Sequence, residues 1–293
     1  MNINKSHIPL IVTTLFGIIL LALQKPVTDS LVKKSDKLDA RYSKIYNIKS
    51  THFLPEILNE ISGFTWLSEN VFACIQDEDG FIYIYDVAKK DMISTIKFGT
   101  SGDYEGLAIN NKDAYVMRSD GTIYGVENFR SDSLHVTKYK TLFSGDHNIE
   151  SLTYDKDNDR LLIAPKDEGL YNDNEKSIYQ IPLQTLVMDS LPTIKIDLNA
   201  AIFKPYKHKK IHKTFNPSDI AVHPITKEIY VLEGKDPKLL ILNSEGKLLH
   251  LHPLDERKFG QPEGITFSPE GRLFISNEAT KSGSATILEV ELK

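Results

Sequence analysis

The sequence predicts an all-β chain: a five-bladed β-propeller closed by a strand from its N-terminal side and preceded by one transmembrane helix. Three observations carry this expectation. First, one pattern of acid, apolar strand, turn and apolar strand occurs five times: NEISGFTWLSENVFACIQDEDG from Asn59, DYEGLAINNKDAYVMRSDG from Asp103, NIESLTYDKDNDRLLIAPKDEG from Asn148, NPSDIAVHPITKEIYVLEG from Asn216 and QPEGITFSPEGRLFISNEA from Gln261. Second, the anchor acids Glu60, Glu105, Glu150, Asp219 and Glu263 recur at intervals of 45, 45, 69 and 44 residues. A period in the mid-forties with four strand candidates in it is the size of one propeller blade. Third, from Arg41 onward the apolar residues alternate with a period of two, as half-buried strands require.

Taken in order, residues 1–7 form a polar tip, expected on the cytoplasmic side, and residues 8–24 a transmembrane anchor or uncleaved signal. The uncharged run IPLIVTTLFGIILLAL lies at the short end of the roughly 17–25 residues a spanning helix needs. No small-x-small cleavage site follows it, and no cysteine for a lipid anchor. Residues 25–40 are polar, without aromatics, and read as a linker; residues 41–293 make the propeller. The stretch YSKIYNIKS is a strand ahead of the first repeat. The last repeat offers only GITF, RLFIS and ATILEVEL, one strand short, so the N-terminal strand closes the ring and removes an edge. The 69-residue interval exceeds the period by too little for a further blade, and its excess falls in NAAIFKPYKHKKIHKTF, residues 199–215. A six-bladed ring with one degenerate blade is the alternative.

A net charge of −5 argues against a general nucleic-acid binder. The single cysteine, Cys74, excludes an internal disulfide framework and any multi-cysteine metal site, and its place in VFACI makes it a core residue. There is no GxSxG, no phosphate-cradling glycine loop and no Cys-His signature.

The chemistry rests on repetition. An acid ahead of each innermost strand places Glu60, Glu105, Glu150, Asp219 and Glu263 around one mouth of the channel. Asp77, Glu78, Glu233, Asn277 and Glu278, at the ends of second strands, add oxygen donors. Like charges so close need compensation. A hard cation such as calcium, which takes about 6–8 oxygen ligands, supplies it; so do Arg118 and Lys166, which also end second strands and are candidate ligand-binding residues. The competing reading is architectural, with each acid capping a turn or clasping the next blade. Asp155, Asp157 and Asp159 copy the start of a calcium loop, but Arg160 stands where glycine is needed, so a polar turn is the better reading. His208 and His212 lie four apart among five lysines, which disfavours a metal and suggests a solvated basic loop.

The ordered motifs EISGFTW, DYEGLAI, NIESLTYD, NPSDIAVHP and QPEGITFSPEGRLFISNE, behind an apolar N-terminal segment, resemble the SdiA-regulated (YjiK-like) proteins of bacteria over roughly residues 50–293. That resemblance implies a five-bladed propeller distantly related to NHL-repeat propellers, a calcium site and an association with the cell envelope. It supplies no reaction. Together these readings give a calcium-binding propeller anchored in the plasma (inner) membrane and facing the periplasm or exterior. It would bind an envelope protein or a small anionic ligand. The alternative is a metal-dependent hydrolase, phosphoesterase or lactonase-like, working at the channel mouth.

Overall fold

In the computed structural model, which describes residues 32–172, 174–281 and 283–293, the period-two segments pair into five four-stranded sheets. Strand β1 (Tyr46–Phe53) stands apart in sequence from the sheet it joins. The first blade is β2 (Ile61–Ser68), β3 (Val71–Gln76), β4 (Phe81–Asp86) and β5 (Asp91–Lys97). The second is β6 (Tyr104–Asn110), β7 (Asp113–Arg118), β8 (Thr122–Glu127) and β9 (His135–Lys140). The third is β10 (Ile149–Asp155), β11 (Arg160–Pro165), β12 (Glu175–Pro182) and β13 (Ile194–Asp197). The fourth is β14 (Pro217–Val222), β15 (Ile229–Glu233), β16 (Lys238–Leu242) and β17 (Leu248–Pro253). The fifth is β18 (Pro262–Phe267), β19 (Leu273–Asn277) and β20 (Thr286–Leu292), with β1 as its outermost strand. The ring thus has five blades, not six, and the N-terminal strand completes the last one.

The burial pattern explains why these strands make blades. The two central strands of a blade are buried on both faces: β16, KLLIL, and β19, LFISN, are buried at every position. Outer strands are half exposed, as in β5 and β9. Apolar side chains therefore meet between successive blades. Phe64, Phe72 and Cys74 of the first blade pack with Phe274 and Ile287 of the fifth, and Phe72 and Phe274 meet edge to face. Ala73, Ile75 and Ile84 pack with Tyr104, Leu107 and Val116 of the second. Cys74 is a fully buried core residue, as expected, and burial pushes its thiol pKa up.

The long interval between the third and fourth anchors is filled between β13 and β14. Two 3-10 turns, Ala201–Tyr206 and Ile211–Lys213, lie there, held by Phe203 and Phe215 in the core shared by the third and fourth blades. The first of them packs on β17.

Two compact units separate: Asn47–Leu292, and a small unit whose described part is residues 32–46 with Lys293. Residues 32–42, expected as linker and strand lead-in, are helical. Ser35, Leu38 and Tyr42, spaced three and four apart, are the half-buried positions and share one helix face. The strand begins only at Tyr46. The expected tip 1–7 and anchor 8–24 lie outside the described residues. Among the described residues no helix is long and apolar enough to cross a membrane.

The innermost strands approach one another so closely that a side chain at one position has no room. A Cβ added at Gly106 would lie 2.6 Å from Leu152 Cβ, and one at Gly63 would lie 2.8 Å from Leu107 N. Gly106→Ala should therefore push the second and third blades apart and cost about 1–3 kcal/mol, read as a lowered midpoint in reversible chemical unfolding.

Candidate functional site

Each innermost strand carries a register irregularity at its start. It falls between Ile61 and Phe64, Tyr104 and Gly106, Ile149 and Ser151, Pro217 and Asp219, and Pro262 and Gly264. Such bulges re-aim one side chain. The residues at equivalent bulge positions are Ser62, Glu105, Glu150, Ser218 and Glu263. The expected ring of five acids is therefore a ring of three glutamates and two serines. Glu60 precedes the bulge by two residues and is exposed. Asp219 follows it by one, at the position held elsewhere by Gly63, Gly106, Ser151 and Gly264. The sequence reading slipped by two places in the first blade and one in the fourth.

The two serines act as clasps. Ser62 Oγ donates to the Tyr104 carbonyl at 2.7 Å, and Ser218 Oγ to the Pro262 carbonyl at 3.1 Å. Asp219 does the same work with more force. Its carboxylate accepts N–H groups from Ile220 at 2.8 Å, from Ile265 of the fifth blade at 2.8 Å and from Leu152 of the third at 3.4 Å. It is buried, and burial raises its pKa well above the usual range against the pull of these donors. Asp219 is thus an internal tie across three blades.

The three glutamates share one cation. Lys166, just after β11, lies 2.5 Å from Glu150 Oε2, and Asn148 donates to Glu150 Oε1 at 2.9 Å. Burial works against the Lys166 charge, but Glu150, Glu263 and Glu105 together hold its pKa up. Three carboxylates against one ammonium leave negative charge uncompensated. Burial, then the charges of Glu150, Asp103 and Glu263, push the Glu105 pKa up to about 9. Burial outweighs Lys166 and lifts Glu150 to about 8. Glu263 is raised in the same direction by burial, against Lys166.

A second sector of acid borders this ring on the side of the fifth and first blades. Burial, then Glu263, Asp77 and Glu60, raise Glu278 to about 8; burial, then Glu60, raise Asp77 to about 6. Asp77 Oδ1 is buried without a hydrogen-bond donor. Glu278 accepts from Gln261 Nε2. Backbone bonds bring these loops together: Ala279 N to Asn59 O at 2.7 Å, and Glu278 N to Gln261 O at 2.9 Å. Glu78 is exposed at the same loop.

Other expected site residues are drawn away. Glu233 is buried in an ion pair with Lys238 at 2.8 Å, which leaves its pKa near 7 as burial outweighs the lysine. Lys238 also reaches Asp236 and stacks over the Tyr206 ring. Asn277 donates to Thr286 within the fifth blade, and its Oδ1 is buried without a donor. Arg118 is turned to Asp120. The aspartates of the YDKDNDR turn are all engaged by neighbours: Asp155 by Arg160, Asp157 by Lys227, Asp159 by Tyr154. Ala201–Tyr206, at the start of the basic loop, packs against β17, and within the loop Lys210 N–H donates to His208 Nδ1 at 3.1 Å. Asn148, Gln261 and Lys238 were not foreseen. The buried Lys238, a charge opening the otherwise apolar PKLLILN, was the one with a visible signal.

The donor set at the mouth is oxygen throughout, and a buried carboxylate oxygen there lacks a proton donor, both of which suit a hard cation. Among the described residues no three His, Cys, Asp or Glu side chains close around one point as a finished metal cage.

Residues 200–291 match the SdiA-regulated family model. The resemblance read from the motifs thus holds over the fourth and fifth blades with the loop before them. No curated protein matches the sequence. Among solved structures, the glutaminyl cyclase of Myxococcus xanthus is similar with a TM-score of 0.59 and 12% identity, covering 85% of this chain and 96% of that one. Virginiamycin B lyase from Staphylococcus aureus is similar with a TM-score of 0.46 and 12% identity, covering 83% and 74%. At 12% identity the likeness to the glutaminyl cyclase concerns the fold alone.

Two outcomes follow from this site. Asp219→Ala leaves Ile265 N–H and Leu152 N–H buried and unpaired, and should cost about 2–5 kcal/mol, measured by chemical unfolding. The glutamates set the pH dependence. Their folded pKa values lie above the ordinary carboxylate value, so the folded chain binds more protons than the unfolded one between about pH 4.5 and 9. Stability is full below that window and falls as pH rises through it. The melting temperature without added divalent cations should decline from pH 5 to 9 by this effect, and Glu105→Gln should flatten the decline.

Proposed function

We propose that this β-propeller, with its SdiA-regulated family match, is a binding protein whose acidic mouth takes up calcium. The carboxylates between the fifth and first blades carry the reading: Glu263, Glu278 and Asp77, with Glu60 and Glu78 beside them, outnumber the single lysine, Lys166, whose charge reaches Glu263 and Glu278. Lys166 is ion-paired to Glu150, and its one charge offsets Glu263 and Glu278 only in part. Calcium tolerates an open, irregular shell completed by amides and water, which matches carboxylates that lie near one another without forming a cage. The same pattern fits a non-catalytic role. Ala201–Tyr206, which opens the segment carrying the basic loop, packs on β17. The apolar run 8–24 supports an anchor in the plasma membrane, with the propeller in the envelope, where it would meet a partner protein or a small anionic ligand.

One observation favours a second reading. Glu150 and Glu278, raised to about 8 in a channel mouth, have the proton affinity of a general acid or base at neutral pH. A metal-dependent hydrolase would use a group of this kind.

Calorimetric titration of the full-length chain with calcium separates these readings from an inert mouth. Heat should appear, with proton release that differs between buffers of unlike ionisation enthalpy, because the cation displaces protons from the raised carboxyls. A Glu278→Gln, Asp77→Asn double variant should lose most of the heat. No heat from the wild type would remove calcium from the account. Turnover of a phosphoester or lactone that appears only with calcium would move the function to the hydrolase.

A further inference from the structure

The innermost strands run from the acidic mouth to a second mouth of opposite character, roughly 13 Å away over four residue steps. There their ends, with the turns that follow them, surround a cavity of about 310 Å³, within the range of small-molecule sites. All five blades contribute to its wall. Phe64, Trp66, Tyr154 and Phe267 give it aromatic surface, and Thr153 is part of its lining. No carboxylate lines it.

The one positively charged residue of that lining is Lys156, exposed on the turn after β10. The acids around it are engaged elsewhere. Asp155 holds Arg160 at 2.8 Å, Asp157 holds Lys227 at 2.7 Å, and Asp159 accepts from Tyr154 Oη at 3.1 Å. Lys156 is left without an ion-pair partner among the described residues. The wall holds a further unmet group: the Trp66 indole Nε1–H is buried with no acceptor.

We infer that this cavity binds an amphiphilic monoanion, an apolar and preferably aromatic body carrying one carboxylate. The body lies among Trp66, Tyr154 and Phe267, where aromatic faces give contact area with little ordering cost. The carboxylate takes the free ammonium of Lys156 in a charge-assisted hydrogen bond. This site shares strands with the acidic mouth and no residue with it, so it stands whether or not calcium binds there.

Trp66 is the only tryptophan in the chain, so its emission reports this cavity alone. The full-length chain is titrated with 3-phenylpropanoate and, separately, with the uncharged 3-phenylpropanamide. The acid should change Trp66 emission saturably in the millimolar range or below. Lys156→Met, an exposed substitution that leaves the core intact, should weaken the acid roughly tenfold and bring it level with the amide. Thr153→Phe, which puts a bulky ring into the cavity lining, should abolish the response with circular dichroism unchanged. A response to the acid that does not saturate, equal binding of acid and amide to the wild type, or undiminished binding by Lys156→Met would each overturn the assignment. Should Thr153→Phe fail to fold, the lysine variant and the amide decide it alone.

Discussion

Five innermost strands must pass one another around a narrow bore, and this crowding governs the rest of the structure. It demands glycine or serine one step past each bulge, and four blades obey with Gly63, Gly106, Ser151 and Gly264. The fourth blade places Asp219 there and converts the space into a bond. One carboxylate accepting N–H groups from three blades fastens the bore where hydrophobic contact cannot, since the blades bury their apolar surface between neighbours and not at the axis. The serines at the bulges of the first and fourth blades make lesser versions of the same tie.

With the bore closed by backbone and short side chains, the longer side chains at the remaining bulges are directed to one rim. Glu105, Glu150 and Glu263 then stand together because the repeat puts them there. One lysine offsets part of the repulsion. The cost that remains appears as proton affinity: the carboxyls hold protons that ordinary glutamates would release. A group of acids kept partly protonated at neutral pH responds to any cation that replaces those protons. The buried Glu233–Lys238 pair contrasts with this rim, because there charge is matched inside the fold.

The fold was legible in the sequence because its signals are redundant. Five copies of one strand pattern, a constant interval and a final repeat one strand short all point to the same ring, and no single misread residue changes the count. The site was legible only in part. Glu105, Glu150 and Glu263 sit where the spacing puts them, because each directly precedes the small residue of its own motif. Glu60 and Asp219 do not. In NEISGF and NPSDI an acid lies near the bulge but off it, and at a bulge an error of one residue exchanges a rim ligand for an internal tie. Lys166 could be proposed from its place at a strand end. Arg118, in the same kind of place, could not be distinguished from it, because Asp120, two residues on, captures its guanidinium. The helical segment 32–42 was hidden by a charged, aromatic-poor composition that linkers and short amphipathic helices share.

The closing strand has a consequence in time as well as in space. β1 is synthesised before any blade, yet its sheet partner β20 is the last strand made. The ring therefore cannot be sealed until β20 has emerged, and until then β1 lacks its sheet partner. The fifth blade, whose other three strands are made long after β1, is the last module to be completed. For a nascent propeller of this design the critical interval is the wait between the first strand and its distant partner, and the exposed edges of that interval are where an assisting factor or a misdirected pairing would act.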